Sequence, residues 1–281
     1  MSDNKKIYWL ASYPKSGNTW FRIFLANYLS DSDKPISIND VSTGAIASSR
    51  ILFDNVSALT ATDLTHDEVD LLRPDIYREL NDEIEEYGYH KVHDAYTLNE
   101  NNKPLFPADV SKGVIYFIRN PLDVAISYAN HSSISIDKSI KLMNRSNHNL
   151  SKSDKKISNQ IRQKLLTWSE HVKSWTIQTE TPVLVLRYED MLEDTYGSFK
   201  KAIKFLDLKF DENKINRAIE FSSFNELKKQ EKEEGFKEKP IKTKSFFKTG
   251  KAGNWKNKLT EEQIEKIINN NKAVMKEYNY L

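Results

Sequence analysis

Cysteine is missing altogether from this chain of 281 residues. That excludes a disulfide-stapled secreted scaffold, a thiolate zinc site, an iron–sulfur cluster and a cysteine nucleophile. Long apolar runs are missing too. None approaches the roughly 20 residues of a bilayer span, and the first, Ile7–Ala11, is too short for a signal-peptide core. A soluble cytoplasmic protein with no membrane span is the expectation. Neither sign of charge is in excess: 42 Lys and Arg face 40 Asp and Glu, a formal net charge of +2. There is no global basic field for nucleic acid and no acidic excess of the kind that keeps a chain disordered. No internal repeat is visible. Glycine is scarce, at 8 residues, so the position of each is informative. What remains, 38% hydrophobic and 29% charged residues, suits a globular chain long enough to bury a sizeable core.

Short unbroken apolar segments alternate with helical spacing. Ile7–Ser12, Val114–Ile118 and Val183–Leu186 read as buried strands, and Tyr87–Val92 as a further short one. Helical patterns cover Thr19–Leu29, Leu122–Ala129 with Pro121 suited to its first turn, Ile161–Ile177, Tyr196–Leu206, Asn213–Phe221 and Glu261–Tyr278. Apolar strands alternating with helices predict an α/β fold with a central parallel sheet covered by helices, and ligands at the carboxyl ends of the strands. Ser132–Ser158 and Lys228–Lys248 are polar and poor in core formers; they are expected to be mobile excursions or lids.

Three segments carry chemistry. Ser12–Trp20 joins a strand to a helix, with Gly17 allowing close backbone approach, Lys15 a cation, and Ser16, Asn18 and Thr19 donors; such a turn suits phosphate. It is not a Walker A motif, because its lysine precedes its glycine. The competing reading is an ordinary turn with a surface lysine. Arg119–Ser127 follows the second strand. An arginine there can clamp a phosphate; alternatively it pairs with Asp123 to cap the helix. Lys248–Lys256 places Gly250 and Gly253 among lysines, another anion-wrapping pattern, with Trp255 expected to anchor the loop in the core; the competing reading is a plain turn.

In this order these segments resemble the cytosolic-type sulfotransferases, enzymes that use 3′-phosphoadenosine-5′-phosphosulfate (PAPS). Tyr13–Trp20 is similar to the family's 5′-phosphosulfate loop, Ile118–Tyr128 to its 3′-phosphate element and Gly250–Lys256 to its C-terminal Gly-x-x-Gly-x-Trp-Lys signature. Trp168–Trp175 and Leu186–Met191 look most like bacterial small-molecule members. The resemblance implies a single sulfotransferase domain over 1–281, with a P-loop-like fold. It assigns Lys15 to the bridging oxygen and leaving 5′-phosphate, and Ser16, Gly17, Asn18 and Thr19 to the phosphate cradle. Trp20, Tyr188, Ser223 and Phe224 fall at the adenine, and Arg119 with Ser127 at the 3′-phosphate. Gly250 matches the loop glycine. Lys248 stands where arginine is usual and Thr249 where lysine is usual; Lys251 is the nearest replacement.

Of six histidines, only His93 sits in a segment, Lys91–His93, that resembles the family's Lys-x-His. A histidine suits removal of a hydroxyl proton near neutral pH. His66, His90, His131, His148 and His171 are read as structural. His90 and His93 also read as a spaced ligand pair, but no cysteine or placed carboxylate completes a metal site, and no metal is expected. The implied reaction is transfer of the sulfuryl group of PAPS to a hydroxyl of a small-molecule acceptor, leaving adenosine 3′,5′-bisphosphate (PAP). Lys15 neutralises the leaving group, His93 is the base, and Lys91 and Ser127 orient donor and leaving group. A P-loop-type small-metabolite kinase using ATP is the alternative, and a non-catalytic nucleotide-binding scaffold a third reading. Candidate acceptor-pocket segments are Thr43–Leu59, Asp94–Phe106 and Ser132–Ser158. Oligomeric state is not legible.

Overall fold

Strand β1 (Ile7–Ser12) is apolar up to its last residue, Ser12, and buried at every position, which is what an interior strand covered on both faces requires. It pairs in parallel with β2 (Gly88–Val92), Ile7 opposite Gly88 and Ala11 opposite Val92. With β3 (Ser111–Ile118) and, further along the chain, β6 (Val183–Arg187) these form a four-stranded sheet in the order β2-β1-β3-β6. Between β3 and β6, β4 (Asn149–Leu150) and β5 (Gln163–Lys164) form a small antiparallel ladder. The expected α/β fold with a central parallel sheet is present. The computed structural model describes residues 4–41, 43–152, 157–240 and 243–281.

The helices are α1 (Asn18–Leu29), α2 (Arg50–Ser57), α3 (His66–Glu83), α4 (Pro121–Ser132), α5 (Ile136–Met143) and α6 (Trp168–Ile177). After β6 come α7 (Tyr188–Glu193), α8 (Thr195–Phe205), α9 (Glu212–Phe221), α10 (Phe224–Glu234) and α11 (Glu261–Glu277). Three start on reciprocal capping boxes: Thr65 with Glu68, Thr167 with Glu170, and Thr260 with Gln263. Each satisfies two backbone N–H groups that the first turn leaves without partners.

Several expectations need correction. The helical spacing from Ile161 begins too early: Gln163 and Lys164 pair with Leu150 and Asn149, and the Thr167 box starts α6 only at Trp168. Ser132–Ser158 is not a plain loop. Ser135 caps α5, which buries Ser139, Ile140 and Met143; residues 153–156 of that stretch lie outside the described residues. Within Lys228–Lys248, the first residues are the end of α10, and Phe236 and Phe247 are buried with Ile23, Ile38 and Leu227. High charge density masked a few well-placed aromatics. Residues 241 and 242 lie outside the described residues. Helices α2 and α3 lie where no element is expected from apolar spacing.

Chain contacts gather into two compact units. The first comprises Met1–Tyr13, Gly44–Tyr116 and Arg145–Val185. Its core is aromatic: Trp9 meets Tyr77 and Phe106 edge-on at 5.0 Å each, and Phe106 continues to Trp175 at 5.1 Å. The second comprises Pro14–Thr43, Phe117–Asn144 and Leu186–Leu281. In its core the Phe24 and Phe199 ring centroids stand 4.1 Å apart. Among the described residues no helix is long and apolar enough to cross a membrane.

Of the three histidines buried in the first unit, His90, His148 and His171, the last two are shifted furthest. Burial pushes His171 down from 6.5 to about 4, and burial with the nearby Arg145 charge does the same for His148. As pH falls, the unfolded chain therefore takes up these protons first. Their contribution to stability is complete above pH ~6.5 and is lost between there and pH ~4, about 3 kcal/mol for a fully buried ring. Denaturant midpoints are expected to fall steeply from pH 7 to pH 5, and His171→Gln to flatten that slope. An unchanged slope would mean that His171 does not titrate on unfolding.

Candidate active site

β1 ends at Ser12, and the chain turns through Pro14, Lys15 and Ser16 into α1. Lys15 holds φ +75° and Gly17 φ +103°. The first is a strained conformation for a residue with a Cβ; at the second, an added Cβ would stand 2.8 Å from the Tyr188 ring. Helix α1 starts with no side-chain cap and no acidic residue in its first turn. The N–H groups of its first turn and its positive dipole end therefore favour an anion. The Ser16 hydroxyl is buried and makes no hydrogen bond among the described residues. The Lys15 ammonium lies 3.9 Å from the centre of the Phe246 ring.

Arg119 follows β3 and is held from three sides. One guanidinium nitrogen donates to the Lys15 carbonyl at 3.3 Å, another to the Lys251 carbonyl at 3.1 Å, and the group lies 4.1 Å from the centre of the Tyr188 ring. Its Nε is buried with no hydrogen-bond partner among the described residues. The capping alternative is corrected here. Asn120, not an Arg119–Asp123 pair, caps α4, its side chain accepting from the Leu122 N–H. Asp123 instead accepts from the backbone N–H groups of Gly253 and Trp255, at 2.7 and 3.1 Å.

That carboxylate, rather than a buried indole, anchors the glycine loop. Trp255 is only partly buried, and Gly250 and Gly253 take left-handed φ values of +58° and +79°. A Cβ at Gly250 would stand 2.5 Å from the Phe224 ring. Lys251 contributes its carbonyl to Arg119, while its side chain, like that of Lys248, is exposed. The Thr249 hydroxyl accepts from Asn254 at 3.3 Å. Trp20 meets Tyr188 edge-on at 6.0 Å. Ser127 stands half-buried on α4, and Ser223 precedes α10. The second unit thus brings Lys15, Ser16, Gly17, Trp20, Arg119, Tyr188 and the loop around Gly250 to one strand-end cradle. It contains Asn18, Thr19, Ser127, Ser223, Phe224, Lys248 and Thr249 as well.

His93 and Lys91 belong to the first unit. The His93 Nδ1 lies 3.0 Å from the Ser12 carbonyl and 3.3 Å from its hydroxyl. A ring nitrogen that meets a carbonyl must carry the proton, so in the neutral imidazole the lone pair is on Nε2. His90 is used differently. Its Nδ1 meets the Ala45 carbonyl at 2.9 Å, and its ring packs against Gly44 and Trp9. Burial pushes its pKa down. Among the described residues no group of three or more His, Asp or Glu is arranged to hold a metal ion.

Residues 5–279 match the family model of the sulfotransferase domain. This chain belongs to the sulfotransferase family. Sulfotransferase 2A2 of Rattus norvegicus is 32% identical over 169 residues, covering 58% of this chain and 56% of that protein. Flavonol 3-sulfotransferase of Flaveria bidentis is 26% identical over 272 residues, covering 92% and 78%. The chain thus spans about half the length of the rat relative and most of the Flaveria one. Among solved structures, a mouse sulfotransferase complexed with PAP aligns with a TM-score of 0.60 at 21% identity, over 96% of this chain and 85% of that one. Retinol dehydratase with androsterone and PAP aligns at 0.64 and 21%, over 98% and 82%. These likenesses establish a common fold.

Sequence reasoning about this chain missed the supports of its cradle. Asp123 lies inside the Arg119–Ser127 motif but holds a loop 130 residues away. Phe246 was hidden in a charged stretch. Glu231 on α10 accepts from the Phe246 and Phe247 N–H groups and the Ser245 hydroxyl, at 2.6, 3.0 and 2.8 Å. It thereby fixes the strap that carries Phe246. No local pattern marks such a residue.

Proposed function

We propose that this sulfotransferase forms one domain over 1–281 and transfers the sulfuryl group of PAPS to the hydroxyl of a small molecule. The observation that carries the donor assignment is the pair of buried, unpartnered polar atoms, Ser16 Oγ and Arg119 Nε. Both lie in a glycine-lined cradle at the uncapped start of α1. Leaving such groups unsatisfied is costly, and phosphate oxygens fit their donor character. PAP in the two aligned structures supports the same reading.

When bound, PAPS supplies the electrophilic sulfur and the bisphosphate leaving group. Lys15, Ser16, Gly17, Asn18 and Thr19 hold the 5′ end through an ammonium, hydroxyls and backbone N–H groups. Arg119 and Ser127 take the 3′-phosphate, with Lys248, Thr249 and Gly250 in the loop beside it. Trp20, Tyr188, Ser223 and Phe224 receive the adenine. His93 Nε2 accepts the acceptor's hydroxyl proton as the new oxygen–sulfur bond forms and the bond from sulfur to the bridging oxygen breaks. Lys15 neutralises charge growing on the departing phosphate. Lys91 and Ser127 orient donor and leaving group. Positioning and charge stabilisation supply the acceleration.

Titration calorimetry tests the donor class. PAP is expected to bind about tenfold or more tightly than ATP, a difference of ~1.4 kcal/mol, with sulfate transfer from labelled PAPS to members of an alcohol and phenol panel. Preference for ATP, together with phosphoryl transfer, would overturn the proposal in favour of the kinase reading.

A further inference from the structure

The segment that follows β2 is held with unusual completeness. The His93 carbonyl accepts from His171 Nε2 at 3.0 Å, and the next carbonyl, Asp94, accepts from the Trp175 indole N–H at 2.9 Å. The Tyr96 N–H donates at 3.0 Å to the Ser174 hydroxyl, which donates in turn to the His171 carbonyl at 2.8 Å. Residues 171, 174 and 175 share one face of α6, because side chains three and four apart lie one above another on a helix. Three successive polar groups of one helix face thus meet three backbone groups of one four-residue segment.

The remaining fixings are buried. The Asp94 carboxylate takes a two-pronged contact from Arg73, at 2.8 and 3.0 Å, and both side chains are about 1% exposed. The Ala95 N–H donates to the Lys164 carbonyl at 2.7 Å. His171 is itself oriented. Its Nε2 donates to the His93 carbonyl, so the neutral ring has its lone pair on Nδ1, where the Tyr116 hydroxyl donates at 2.8 Å. Trp175 is packed among Tyr96 and Phe106.

We infer that His171 and Trp175 are positioning residues that aim His93: two ring N–H groups on one face of α6 clamp consecutive carbonyls and set the direction of the imidazole. The inference rests on the reading of His93 as the base. The His93 ring has its own fixing at Ser12. The α6 clamp fixes the other end of the same residue, its backbone. With both ends held, the ring has little freedom to turn away from the acceptor. Displacement of a reacting group by about an ångström can cost up to ~10²-fold in rate, so the clamp acts on kcat rather than on nucleotide binding.

Trp175→Phe is the cleanest variant, since it removes one N–H and keeps an aromatic ring. His171→Phe removes the other N–H, and His171→Gln retains an amide N–H where Nε2 stands. Each full-length variant is measured for kcat per PAP-binding site, for the calorimetric Kd of PAP, and for the pH dependence of kcat, with His93→Ala alongside. Counting PAP sites corrects for any misfolded fraction. The expected result is a roughly tenfold lower kcat per site in Trp175→Phe and His171→Phe. It comes with a displaced pH profile, recovery in His171→Gln and a PAP Kd within about twofold of wild type. A merely structural role would lower the number of PAP sites and leave kcat per site and the pH profile unmoved. The inference is overturned if both phenylalanine variants keep full kcat per site while His93→Ala is inactive, or if PAP affinity falls in step with kcat. Full turnover by His93→Ala would overturn the base assignment itself, and with it this role for α6.

Discussion

His93→Ala is expected to lower kcat by about 10²–10⁴-fold, the usual worth of a positioned general base, with little change in PAP affinity. The reason lies in where the ring is tied. Its Nδ1 is committed to the Ser12 carbonyl, 81 residues away in sequence, which leaves Nε2 as the basic atom of the neutral ring. A His93→Gln variant keeps a hydrogen-bonding side chain of similar length but has no titratable nitrogen, so it should be nearly as inactive as alanine. The measurement is single-turnover sulfate transfer at saturating PAPS across pH 5.5–9. Both variants should fall short of wild type by that factor throughout the range. Retention of full turnover in either variant would remove His93 from the mechanism.

Lys15→Ala is expected to reduce kcat by about 10²–10³-fold, comparable to deleting one group that stabilises charge developing in a transition state. Lys15 sits at φ +75°, and alanine also carries a Cβ, so wild type and variant share the same backbone strain. The comparison therefore reads the ammonium. In the free protein that ammonium rests against the Phe246 ring, a contact worth about 0.5–1 kcal/mol when exposed. Loss of that contact is too small to account for a hundredfold effect. The expected pattern is a large fall in kcat with a smaller weakening of PAP binding. Equal losses in both would make Lys15 a uniform binder of the nucleotide rather than a stabiliser of the leaving group.

Much of the cradle is legible in the sequence. Ser12–Trp20 announces a strand, a turn and a helix within nine residues, and its single glycine falls at a left-handed position where the Tyr188 ring leaves no room for a Cβ. Pro121 and Asn120 mark the start of α4 in the same local way. The Thr-x-x-Glu boxes that start α3 and α6 are equally local, yet apolar spacing passes over both. The misreadings share a cause. Lys228–Lys248 looked solvated because charge outnumbers apolar residues, yet burial of Phe236 and Phe247 needs only two well-placed rings and a partner cluster. The Ile161 spacing looked helical because short apolar runs fit more than one period. Trp255 looked like a core anchor by residue type, whereas Asp123 does the anchoring through two backbone N–H groups.

The division between the two kinds of information is physical. The sequence alone determined the family resemblance, the parallel α/β plan, the absence of thiol chemistry and the strand-to-helix turn at Ser12–Trp20. These depend on residues within a turn or two of one another, where backbone sterics and helix ends act. Tertiary structure alone decided which nitrogen of His93 is basic, that Asp123 serves a distant loop rather than its own helix, that Arg119 lies against Tyr188, and that one face of α6 grips the segment carrying His93. Each of these joins groups from well-separated stretches of chain, and their pairing follows from packing, which leaves no period or spacing in the sequence to be read.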